Sequence, residues 1–147
     1  MTRRRFRFSL EQIRRLRRHA EREAMRSLAS ELERAAFLER ELELLERRLE
    51  AARRRGGGAS AADLASRQAY LEHLEREVAG ARARAGRQRA RVEDLRGELA
   101  RVVRDRESID RLKERRRALH ESEGRRAERL AGDELALRAA TRAGGPA

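Results

Sequence analysis

Apolar residues recur along this chain at alternating steps of three and four, and most of its structure can be read from that rhythm. From Ala35 the run is Ala35, Leu38, Leu42, Leu45, Leu49 and Ala52, the spacing of a left-handed coiled coil. A longer run starts at Leu64 and Arg67. It continues through Leu71, Leu74, Val78, Ala81, Ala85, Gln88, Val92, Leu95, Leu99, Val102 and Arg106 to Ile109. Upstream of Ala35 the steps lengthen: Leu16, Ala20, Ala24, Leu28 and Leu32 are four apart, which predicts a seam drifting around its helix and a looser supercoil. After Ile109 the pattern continues more weakly through Leu112, Leu119, Ala127, Leu130 and Leu137, until Gly144-Gly145-Pro146 ends the helix.

Punctuation divides these runs into two helices. Arg55-Gly56-Gly57-Gly58-Ala59-Ser60 closes one periodic stretch and opens the next. Ser60 can cap the second helix, with Asp63 in its first turn. At the front, Ser9 as cap places Gln12 at the capping-box position and spaces Phe8 and Ile13 as a hydrophobic staple, which leaves Phe6 outside the helix with nothing to cover it. The expected organisation is a basic arm over 1–8, a first helix over 9–55, a glycine-rich turn over 56–60, a second helix over 61–143 and a disordered tail over 144–147. Ala81, Ala85 and Gln88, flanked by Gly80 and Gly86, form a thin waist where bending or fraying is expected, since each glycine costs about 1 kcal/mol relative to alanine.

Composition sharpens this picture. Charged residues make up 44% of the chain and aromatics 3%, too little bulky apolar material to fill the centre of a compact domain. Ala, Leu, Glu and Arg are strong helix formers, so the expected fold is all-α: a long two-helix antiparallel coiled-coil hairpin. No segment approaches the ~20 apolar residues that cross a bilayer, and the first residues lack the apolar core of a signal peptide. A cytoplasmic location is therefore expected. With no cysteine, disulfides, thiolate chemistry and most structural zinc sites are excluded.

The two helices differ in length. At about 1.5 Å per residue the first spans roughly 70 Å and the second roughly 125 Å. A turn at Gly57 would put Ser9 opposite Glu107. An overhanging C-terminal helix then follows, with Ile109, Leu112, Leu119, Leu130 and Leu137 needing shelter from another molecule. A frayed tail or homodimerisation through the overhang are the alternatives.

No catalytic or metal-binding constellation is visible. His19, His73 and His120 are far apart and lack the His-Glu-x-x-His spacing, and the GGG turn lacks the strand and Lys-Ser/Thr of a phosphate-binding loop. Neither enzyme activity nor a cofactor nor a metal is expected. The net charge of +12 is uneven: eight arginines against Glu11 in 1–18, five arginines in 82–91, and five bases against Glu114 in 111–117. These patches support a rival reading as a nucleic-acid- or ribosome-binding basic coiled coil, although the central patch has no aromatic stacking surface. A generic structural coiled coil is the third reading.

Both ends of the chain resemble a known family. FRFSLEQIRRLRRHAEREAMRSLA at the front and ERLAGDELALRAATR near the end are similar to the flagellar export protein FliJ family, whose members open with an aromatic-x-Phe-x-Leu run and carry an Asp-Glu-hydrophobic element near the C-terminus. The resemblance implies a stalk-like coiled-coil hairpin that binds the hexameric export ATPase FliI, promoting its assembly and activity. It also implies contact with the cytosolic domain of the export gate FlhA, peripheral to the membrane, and binding of export chaperones. The ATPase-ring contacts would fall to Arg3, Arg4, Arg5, Phe6, Arg7, Phe8, Ile109, Leu112, Leu130, Asp133, Glu134 and Leu137. Contact with the gate would fall to Tyr70, Leu74 and Ala81, where Glu77 departs from the small apolar residue of the family; in the other reading Leu74 is seam and Tyr70 merely flanks it. A related injectisome stalk protein would show a similar pattern.

Overall fold

The computed structural model describes residues 5–57 and 60–145. Arg3, Arg4, Gly58 and Pro146 lie outside that range. The described residues form two helices, α1 (Glu11–Arg54) and α2 (Ala61–Ala143), and no strand. They divide into two compact units. One comprises Ala20–Val102 and the other Met1–His19 with Val103–Ala147. In each, a segment of α1 packs antiparallel against a segment of α2.

In the Ala20–Val102 unit the inward positions of α1 run Glu21, Ala24, Leu28, Glu31, Ala35, Leu38, Leu42, Leu45, Leu49 and Ala52. The alternation of three and four therefore holds throughout, and the expected drift through Leu16, Ala20 and Leu32 does not occur: all three are exposed. Repeated steps of four would carry the seam off its partner, so the chain places glutamates at inward positions and finds them partners. Gln88, itself buried, donates from Nε2 to the Glu31 carbonyl at 3.0 Å and to Glu31 Oε2 at 2.5 Å. Arg91 Nε donates to the other carboxylate oxygen at 3.0 Å. A single polar layer of this kind disfavours slipped registers, which would leave its groups unpaired in the seam.

The core is the set Leu42, Leu49, Ala52, Leu74, Val78, Ala81 and Ala85. The thin waist is its most tightly closed part, with Ala81 1% and Ala85 2% exposed, and α2 runs through it without a break. Small side chains let the two backbones approach, so fewer methyl groups here mean closer packing rather than fraying.

At the turn, the Ser60 hydroxyl accepts from the Asp63 amide at 3.2 Å while Asp63 Oδ2 accepts from the Ser60 amide at 3.3 Å and from its hydroxyl at 2.7 Å. This is a reciprocal cap for α2, with aspartate in the glutamate position. Arg67 Nη2 donates to the Arg53 carbonyl at 3.1 Å, satisfying one of the free carbonyls at the end of α1.

The register across the pair differs from the one expected. Arg53 meets Glu75 at 2.8 Å, and Leu64 in the first turn of α2 is exposed. In the unit bearing both termini, Ser9 meets Arg116 rather than Glu107, through a 2.9 Å hydrogen bond from Nη1 to Oγ. Ile109 and Leu112, expected beyond the paired region, are half-buried within it.

Candidate functional site: the unit bearing both termini

The Met1–His19 and Val103–Ala147 unit is held by charge across its seam. Arg14 Nε donates to Asp110 Oδ1 at 2.7 Å, and Arg106 Nη1 donates to Asp110 Oδ2 at 3.2 Å. Lys113 Nζ donates to Glu11 Oε2 at 2.9 Å, and Arg17 Nη1 to Asp105 Oδ2 at 3.0 Å. Partial burial works against the Asp110 carboxylate, but the hydrogen bonds from Arg14 and Arg106 outweigh it and hold Asp110 below the usual aspartate range. The hydrogen bond from Lys113, opposed by partial desolvation and aided by Arg14, does the same for Glu11.

The phenylalanines of the opening segment find partners inside this unit. Phe8 is buried, with Arg116 stacked 5.7 Å and Lys113 6.0 Å from its ring centre. Such cation–π contacts are worth roughly 0.5–2 kcal/mol. Phe6, half-buried, lies with its ring 5.6 Å from that of His120. The helix begins one residue later than the capping box suggests: the Arg14 amide bonds the Leu10 carbonyl, and the Ser9 hydroxyl is engaged by Arg116.

Lys113, Arg116 and His120 were missed in the sequence because they are not apolar. Steps of four, three and four from Ile109 lead to them, whereas the step from Leu112 to Leu119 leads off the seam. Leu119 is exposed. The signal was present in the spacing and hidden by the residue types.

The remaining expected contacts are distributed as follows. Arg5 and Arg7 are exposed. Leu130, Asp133, Glu134 and Leu137 lie exposed on the last part of α2, with Leu137 at 69%. In the other unit, Tyr70 is exposed, but Leu74 and Ala81 turn into the core against α1. Of that trio only Tyr70 stands on the surface, because Leu74 and Ala81 occupy the inward steps of the heptad.

Charge is concentrated in one unit. The Met1–His19 and Val103–Ala147 unit carries 20 basic residues against 10 acidic, and Ala20–Val102 carries 18 against 16. The central arginine run is largely neutralised by α1: Arg82 meets Glu46, Arg84 meets Glu41, Arg89 meets Glu39 and Arg91 meets Glu31. These exposed pairs contribute little stability each, but they select the partner face and withdraw four of the five arginines from the proposed polyanion patch. No group of three His, Cys, Asp or Glu that could hold a metal occurs among the described residues, and none of their helices is long and apolar enough to cross a membrane.

Long paired helices carrying their chemistry in charge and in uncovered leucines define a coiled-coil interaction protein. The family model described as flagellar FliJ protein matches residues 6–145, and the chain belongs to that family, a non-catalytic component of flagellar type III protein export. No curated protein and no solved structure matches it.

Proposed function

We propose that this chain is the central stalk of the flagellar export ATPase, binding the FliI-like ring with the unit that bears both termini and promoting its assembly and activity. The observation that carries this reading is that α2 continues to Ala143 with Leu119, Leu130, Leu135 and Leu137 exposed, in the unit that also carries most of the net charge. Exposed leucines on a helix end are sheltered when a partner surrounds them, and an excess of arginine accelerates encounter with an acidic ring interior. In this reading Leu130, Asp133, Glu134 and Leu137 enter the ring as an overhanging helix. Arg3, Arg4, Arg5 and Arg7 steer it. Phe6 and Phe8 stiffen the base of the inserted end by locking the start of α1 to α2, and Ile109 and Leu112 complete that base.

The export-gate contact, to an FlhA-like cytosolic domain, is centred on Tyr70. Leu74 and Ala81 support it from beneath by fixing the helix face that presents the tyrosine. Export chaperones complete the set of partners, and the gate keeps the protein peripheral to the inner membrane.

Ending the chain after Glu123 tests the stalk. The truncated protein is expected to retain its helical circular dichroism per residue and to lose stimulation of the ATPase; unchanged stimulation rejects the reading. Tyr70→Ala is expected to weaken gate binding and leave ATPase stimulation intact, so the two functions separate in two assays.

A further inference from the structure

The outward face of α1 in the Ala20–Val102 unit carries an apolar pair that packing does not use. Phe37 is 58% and Leu44 56% exposed, seven residues apart and therefore on one side of the helix. Ala36 and Ala51 on the same side are also exposed. Arg40 lies between the two large residues, one turn from each, and has no acidic partner among the described residues; Glu33, one turn before Phe37, also has no basic partner among them.

The last part of α2 presents the complementary pattern. Leu130 and Leu137 are exposed and also seven apart. Asp133 lies between them, three residues after Leu130, as Arg40 lies three after Phe37. Arg126 precedes Leu130 by four residues, as Glu33 precedes Phe37 by four. Neither Asp133 nor Arg126 has a charged partner among the described residues.

We infer that a second copy of this chain docks the 126–137 stretch of its α2 onto the 33–44 face of α1, with the two helices parallel. In that register Leu130 covers Phe37, Leu137 covers Leu44, Asp133 meets Arg40 and Arg126 meets Glu33. An antiparallel arrangement that keeps the leucines over Phe37 and Leu44 sets Arg126 against Arg48, so charge selects the parallel one. A membrane surface is disfavoured as occupant because Glu33, Glu43 and Glu50 punctuate the face. The contact is heterologous, joining two different patches, so it extends from copy to copy unless the geometry closes a ring. It does not depend on the stalk reading, but it uses Leu130 and Leu137, so self-association and ring insertion exclude each other.

Sedimentation velocity of the full chain over a concentration series tests the inference. Wild type is expected to form concentration-dependent species above monomer, weakened by added salt. Arg40→Asp alone and Asp133→Arg alone are each expected to be monomeric with unchanged circular dichroism. An equimolar mixture of the two variants is expected to associate again, because each tail then meets an opposite charge on the other variant's face. A monomeric wild type overturns the inference, as does a mixture that stays monomeric or a Phe37→Ser variant that associates as wild type does.

Discussion

Arg14 and Asp110, 96 positions apart in sequence, sit 2.7 Å apart with both side chains partly buried. This pair joins the start of α1 to α2, together with Lys113–Glu11 and Arg17–Asp105, and Arg106 holds the second carboxylate oxygen. Asp110→Asn keeps the shape and removes the charge. It is expected to cost about 1–2 kcal/mol, because the guanidinium loses its charged acceptor in a partly desolvated place. Hydrogen exchange of the α1 amides over 11–19 checks this: their protection should fall while that of residues 42–52 stays.

Acid should loosen both units. Glu31 is held below its ordinary value of 4.5 by the hydrogen bond from Gln88 and then that from Arg91, and Glu39 by the bond from Arg89. Glu11 and Asp110 are also lowered. A carboxylate whose folded pKa is depressed contributes stability that is complete above its unfolded pKa and is lost as pH falls through the folded one. Melting temperature is therefore expected to fall progressively below about pH 4.5, while Asp110→Asn flattens its own part of the decline. Thermal melts followed by circular dichroism at stepped pH provide the measurement.

The waist offers two substitutions of opposite sign. A methyl added at Gly86 meets nothing within 4 Å, so Gly86→Ala gains helix propensity without a clash and is expected to stabilise by about 0.5–1 kcal/mol. Ala81→Leu adds volume where the side chain is 1% exposed and is expected to destabilise by about 1–3 kcal/mol. Chemical denaturation of the two variants should move the midpoint in opposite directions.

Gln88→Leu separates stability from register. The buried amide gives way to an apolar side chain suited to the seam, so the melting temperature is expected to hold or rise. Glu31 then loses the partner that marks one alignment. Distance distributions between spin labels on α1 and α2 of the Ala20–Val102 unit are expected to broaden; an unchanged narrow distribution would show that the flanking ion pairs alone set the register.

Phe8→Ala and Leu137→Ala should also differ. Phe8 is buried against Lys113 and Arg116, so its loss is expected to cost about 2–3 kcal/mol and fray the front of α1. Leu137 is exposed. Its replacement is expected to leave the melt unchanged within about 0.5 kcal/mol and, in the stalk reading, to lower ATPase stimulation.

Much of the fold is legible from spacing alone. The alternation from Ala35 to Ala52 and from Leu71 to Ile109 identifies inward faces that the structure confirms, and Ser60 with Asp63 marks the start of α2. Gln88 and Arg106 are polar positions that the spacing places correctly; other polar inward positions are not visible in it. Glu21 and Glu31 on α1, and Lys113 and His120 on α2, take inward positions, with the exposed Arg116 beside them on the Phe8 ring. A reader following leucines is drawn instead to Leu16, Leu32 and Leu119, which are exposed. A polar inward position is tolerable only if a partner meets it, and that partner lies on the other helix.

The sequence by itself determined that this chain is helical and which side of each helix is apolar over most of its length, because those properties depend on residues three or four apart. Only tertiary structure decided the offset between α1 and α2. That offset set Ser9 against Arg116, neutralised most of the central arginines and gave Phe6 and Phe8 partners within the chain. The physical reason is that a heptad pattern defines a face and repeats every seven residues, so it permits many alignments; pairing charges and buried amides across the seam makes one of them lowest in free energy.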